Sequence, residues 1–163
     1  MPSVADIAGV FAGWNSLYSN SKVVATAVTT VHLLGLLVAG GLAIAADRMT
    51  LRVSRADAPR IAHEIRDAHR PVLIALALVF VSGIGLATAD VETFLVSPFF
   101  WVKLGLVALL LLNGLGLART ESRVREGQEL APATWGRLRF HAWASLALWV
   151  ATTIAGTVLV NAA

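Results

Sequence analysis

Residues 22–46 read KVVATAVTTVHLLGLLVAGGLAIAA, with no charge between Lys22 and Asp47. A helix needs about 20 consecutive apolar residues to cross the hydrocarbon core of a bilayer, and this stretch supplies them. Three more stretches of the same kind follow at 71–89, 99–118 and 138–161, and nearly every charge falls between them. The reading is an all-α polytopic membrane protein, a four-transmembrane-helix bundle forming a single membrane domain over 1–163. In 163 residues that are 57% hydrophobic there is no room for a soluble domain beside four spans.

Charge placement orients the chain. Ten of the 13 Lys and Arg are arginines in two segments, 47–70 and 119–137, and Arg139 lies just beyond the second; only Lys22 and Lys103 lie elsewhere. The positive-inside rule puts both segments in the cytoplasm and both termini outside. The net charge of +3 and the pI near 10.2 are then explained by loops that meet anionic headgroups, and nucleic acid is not expected as a partner. Cys is 0, which excludes disulfides, thiolate metal sites and covalently attached haem, and Met is 2, too few for a thioether copper path.

The chain starts without a basic n-region or a long apolar run before Lys22, so no cleavable signal peptide is expected. Instead Val4, Ile7, Ala8, Phe11, Trp14, Leu17 and Tyr18 recur at helical spacing. They predict a short amphipathic interfacial helix, anchored in the headgroup region by Trp14 and Tyr18. In the first basic segment, Asp57-Ala58-Pro59 reads as a helix start, with Asp57 as its cap, and Pro71 predicts a kink or break. The second basic segment, with Gly127 and Pro132, reads as a polar loop from Thr120 to Thr134. Aromatic residues gather at both ends of the spans, Phe94, Phe99, Phe100 and Trp101 outside, Trp135, Phe140 and Trp143 inside.

Polar residues inside the spans bound the function. At 100° per residue His32 shares a face with Ala25, Val28, Leu36, Ala39 and Ala43. Ser82, Asn113, and the series His141, Ser145 and Thr152 occupy corresponding faces of the other spans, so the bundle is expected to close around a polar spine of His32, Ser82, Asn113, Ser145 and Thr152. Two uses are open to His32: a neutral imidazole bonded to Ser82 or Thr152 to fix packing, or a ligand or proton-handling group. The ligand reading brings in b-type haem, with His32, His69 and His141 as the candidate residues. His32 lies about 13 residues from the inner end of its span and His141 about 3, so at ~1.5 Å per residue their depths differ by roughly 15 Å and they do not share one iron. His69 and His141 match in depth, but His69 falls off the Ser82 face unless Pro71 reorients it. His63 belongs to a solvated face. Lys103 is expected to snorkel to Asp90 or Glu92 as an outer salt bridge, the alternative being that the two carboxylates bind a cation. No metal site is otherwise indicated.

The run Val31-His32-Leu33-Leu34-Gly35 with Asp47-Arg48, then Ser97-Pro98-Phe99-Phe100-Trp101-x-Lys103 and Asn113, then Ser145-Leu146-Ala147-Leu148-Trp149, resembles a group of bacterial four-span membrane proteins of unknown function. That group sits near the copper-resistance D type membrane domains. The resemblance covers most of the chain from Trp14 onward; His32, Lys103, Asn113 and Trp149 match its pattern, and His69 and His141 do not. It implies a membrane location and no assigned chemistry. Three functions remain open: an accessory or scaffold subunit without catalysis, partnered by lipid and other membrane subunits or by its own copies; a redox protein holding haem or another cofactor; and a small transporter.

Overall fold

The computed structural model describes residues 3–125 and 132–162, without the side chains of 58–69, 124, 125 and 162. Seven helices and no strand occur among the described residues: α1 (Val4–Val10), α2 (Ala12–Asn20), α3 (Lys22–Arg52), α4 (Ala58–Ala89), α5 (Val91–Val96), α6 (Pro98–Arg125) and α7 (Pro132–Ala162). Four of them, α3, α4, α6 and α7, are long and apolar enough to cross a membrane.

The long helices outrun their apolar stretches. A hydrophobic run marks where a helix meets lipid, whereas the backbone bonds that define it continue into polar sequence. Thus α3 runs to Arg52, α6 to Arg125, and α7 begins at Pro132, so most of the segment expected as a loop between Thr120 and Thr134 is helix. The break expected at Pro71 is absent, and α4 continues through it from Ala58 to Ala89. A proline costs its helix one backbone bond, and a neighbouring helix or the polar end of the span can make good that loss. Pro59 does occupy the first turn of α4, but Asp57 makes no side-chain cap. Its carboxylate accepts the Ser54 hydroxyl at 2.6 Å instead.

The helices form a ring in the order α3, α4, α6, α7, with the broadest packing inside the hairpins α3–α4 and α6–α7 and narrower packing of α3 on α7 and of α4 on α6. The small residues set the spacing. A Cβ on Gly35 would stand 2.7 Å from Val79 Cγ2 and 3.2 Å from the Ala75 carbonyl, so α3 and α4 meet almost backbone to backbone. Between α3 and α7, Gly40 receives the indole of Trp149, whose Cε3 and Cζ3 lie 3.2 Å from where a Cβ would be. Ala39, Ala75 and Trp149 make the buried core, flanked by Leu36, Ala43, Ile44, Leu76 and Leu110. At the arginine-rich end Arg139 donates to the Leu51 carbonyl at 3.3 Å, and its guanidinium lies 5.8 Å from the centre of the Trp135 ring.

At the other end α1 and α2 are separate helices broken at Phe11, not one. Ser3 and Asp6 form a reciprocal capping box, and the Ser3 amide holds the Asp6 carboxyl below its usual range. Trp14 and Tyr18 turn their polar groups to the bundle. The Trp14 indole N–H donates to the Gly85 carbonyl at 2.8 Å, Asn15 donates to the Ala89 carbonyl, and the Tyr18 hydroxyl pairs with Thr29 Oγ1 at 3.3 Å. Asn15 thereby satisfies a last-turn carbonyl that α4 cannot pair for itself. Hydrogen bonds to α3 and α4, rather than amphipathicity alone, dock α2 onto the bundle.

Candidate functional site

The expected polar spine divides into separate clusters. In the α3–α4 hairpin His32 is buried, and its Nδ1 lies 3.0 Å from Ser82 Oγ. The Ser82 hydroxyl has one proton, and it is directed to the Leu78 carbonyl at 2.5 Å. Towards His32 it therefore accepts, so Nδ1 carries the proton of the neutral ring and Nε2 holds a lone pair. The ring rests on Gly83, where a Cβ would stand 3.3 Å from His32 Cε1. Of the two partners expected for His32, Ser82 is the one found; Thr152 Oγ1 is buried with no hydrogen-bond partner among the described residues.

The α6–α7 hairpin repeats the device with the roles of its helices exchanged. Asn113 Oδ1 can only accept, so His141 Nδ1 donates to it at 2.8 Å, while Asn113 Nδ2 donates to the His141 carbonyl at 2.9 Å. Here the ring lies over Gly116, and a Cβ there would be 2.6 Å from His141 Cε1. Each hairpin thus carries a histidine on one helix, fixed through Nδ1 by a neutral partner and seated on a glycine of the other helix. Intramembrane pairs of this kind are worth about 0.6 kcal/mol on average and up to about 1.7. A double-mutant cycle of His32→Ala and Ser82→Ala, read by thermal unfolding in detergent, should return a coupling in that range; additive effects would remove the clasp.

The level of the two imidazoles follows from the contact of Gly40 with Trp149 across the antiparallel α3 and α7. Eight residues from Gly40 to His32 correspond to eight past Trp149, to residue 157, which is sixteen from His141, or roughly 24 Å at ~1.5 Å per residue. The separation exceeds the depth difference expected from the spans, because α3 is longer than its apolar run. His69 is within α4, but its side chain lies outside the described residues, as does that of His63. Among the described residues no group of three or more His, Cys, Asp and Glu converges as a metal site would require.

Two groups were missed from the sequence. Asp47 is only 1% exposed, faces Ser145 of α7, and its Oδ2 has no hydrogen-bond partner among the described residues. Glu121 of α6 is equally enclosed. The signal was there: the His32 stripe through Leu36, Ala39 and Ala43 continues at helical spacing to Asp47 and Thr50, both buried. Counting Asp47 as the first loop residue cut the stripe short.

The outer salt bridge is corrected. Asp90 is the N-cap of α5, accepting from the Thr93 amide at 3.3 Å, and neither it nor Glu92 pairs with Lys103 among the described residues. Lys103 instead turns across to α7, where its Nζ lies 3.5 Å from the position of a Cβ on Gly156, near enough to His32 to act on it electrostatically. A lysine stem reaches sideways as readily as outward, and the open surface of a glycine receives it.

Residues 9–161 match a family described as a family of unknown function, DUF6644. The chain belongs to this family. No curated protein and no solved structure matches the chain. As a DUF6644 member the chain has four helices fit to span a membrane, with the family match reaching from the end of α1 almost to the end of α7.

Proposed function

We propose that this DUF6644 protein is a non-catalytic subunit of a membrane assembly, resident in a bacterial inner membrane with both termini outside. The observation that carries the reading is the use made of the histidines. His32 and His141 each spend Nδ1 on the facing helix of their own hairpin and stand at levels roughly 24 Å apart, so they serve packing and cannot jointly hold one haem. The donor set does not suit the copper chemistry of the copper-resistance D type domains either, with Cys 0 and Met 2. Partnership is supported by α6, the least covered of the four spans, whose Leu104, Leu109, Leu111, Leu112 and Leu115 point away from the bundle. Another membrane subunit, or a second copy, would cover them together with lipid.

Native mass measurement of the chain released in mild detergent should find it in a stoichiometric complex. A lone 17.2 kDa chain carrying a Soret band lost on His141→Ala would overturn the proposal in favour of a haem protein. Orientation is tested by single cysteines in this cysteine-free chain. With whole cells and an impermeant maleimide, Ala5→Cys should label and Ala56→Cys should not; the reverse result rejects the orientation drawn from the arginines.

A further inference from the structure

Lys103 carries three N–H donors and a positive charge inside a membrane span, yet among the described residues it makes no hydrogen bond and no ion pair. An ammonium in hydrocarbon is costly unless something compensates it. The described part of the chain brings no carboxylate to it, because Asp90 caps α5 and Asp47 sits far along α3 at the arginine-rich end.

What faces the ammonium is polar and unsatisfied. Taking the register of Gly40 with Trp149, Gly156 is level with residue 33 of α3, so Lys103 Nζ and His32 lie at nearly the same height in the bundle, on helices across the ring from one another. His32 has its Nδ1 proton committed to Ser82, which leaves the Nε2 lone pair. One turn deeper on the same face of α7, the buried Thr152 hydroxyl has no partner among the described residues. Towards the termini α2 docks on α4, its Trp14 donating to the Gly85 carbonyl, and a Cβ on Gly85 would meet both Trp14 and Val28, the latter a turn from His32. Lys103 and Gly156 are themselves only half-buried, so the ammonium is not sealed inside the bundle.

We propose that His32 and Lys103, on α3 and α6, form a binding site for a single carboxyl group. One carboxylate oxygen accepts from the Lys103 ammonium and the other accepts from His32 Nε2–H, the acid's proton having passed to that nitrogen. Two nitrogen groups match two oxygens. A phosphate would bring more oxygens and more charge than one lysine answers, and a cation is repelled by Lys103. The carboxyl group arrives on a small free acid or on an acyl chain from the bilayer. The site goes beyond the structural reading above, since the clasp uses Nδ1 and the ligand would use Nε2.

The test is calorimetric titration of the full-length protein in detergent with acetate, hexanoate, hexanol and hexylamine. Saturable binding of hexanoate, without hexanol or hexylamine, is expected. Acetate binding as well would mark a free acid as the ligand, whereas hexanoate alone would mark an acyl chain. Lys103→Met should weaken hexanoate at least about tenfold, as loss of one partner of an enclosed charge pair does, while Lys103→Arg retains it. His32→Gln should also weaken it. Both Lys103 variants are checked for an unchanged helical circular dichroism spectrum. If Lys103→Met unfolds the chain, the comparison rests on His32→Gln and on the alcohol and amine. The proposal is overturned if the wild-type protein shows no saturable hexanoate binding, if hexanol binds equally well, or if folded Lys103→Met or His32→Gln binds as the wild type does. None of these results bears on whether the chain has a protein partner.

Discussion

Gly116→Val will displace the His141 ring and destabilise the bundle by about 2–4 kcal/mol. The added Cβ alone would stand 2.6 Å from Cε1, 3.0 Å from Nε2 and 3.3 Å from Nδ1, so the imidazole must leave its seat. Overfilling a packed site costs about 1–3 kcal/mol. Moving the ring also breaks the two hydrogen bonds that join Asn113 and His141, each worth about 1 kcal/mol net. Gly114→Val is the control, because nothing lies within 4 Å of a Cβ there, and its effect should stay within about 0.5 kcal/mol. Unfolding by steric trapping in bicelles would measure both. Equal effects at 114 and 116 would mean that the seat of His141 is not a tight one.

Trp149→Ala should cost still more, about 3–5 kcal/mol, the range for emptying a large aromatic site. The indole fills the notch at Gly40 and packs with Ala39 and Ala75, so its removal opens the joint between the two hairpins rather than either hairpin alone. In lipid the loss is one of close contacts, since no water is released when helices meet. Trp143, one turn and a half earlier on α7, is exposed, and Trp143→Ala should cost under about 1 kcal/mol. The same unfolding assay ranks the two, and a larger effect at Trp143 would contradict the packing described.

Apolar length made the four spans legible, and helical phase made His32, Ser82, Asn113 and Ser145 legible as inward-facing. The pairings within each hairpin needed more, because phase says which face a residue occupies but not which neighbour stands opposite. Glycine partners were legible only as small residues; that Gly83 and Gly116 each hold an imidazole depends on register. Lys103 was misread because a long stem can point several ways from one Cα, and the direction is decided by Gly156 on another helix. Asp47 was misread because hydropathy ends a span at the first charge, although the helix, its face and its burial continue to Thr50. The docking of α2 likewise depends on carbonyls at the end of α4, groups with no side-chain signature.

The paired histidine clasps have a consequence for biogenesis. Because His32 finds Ser82 within the first two spans, and His141 finds Asn113 within the last two, each hairpin can enter the bilayer with its imidazole already paired. The chain can therefore be delivered in two insertion steps, and the only work left for the second is lateral docking, with the Trp149 indole sliding into its notch.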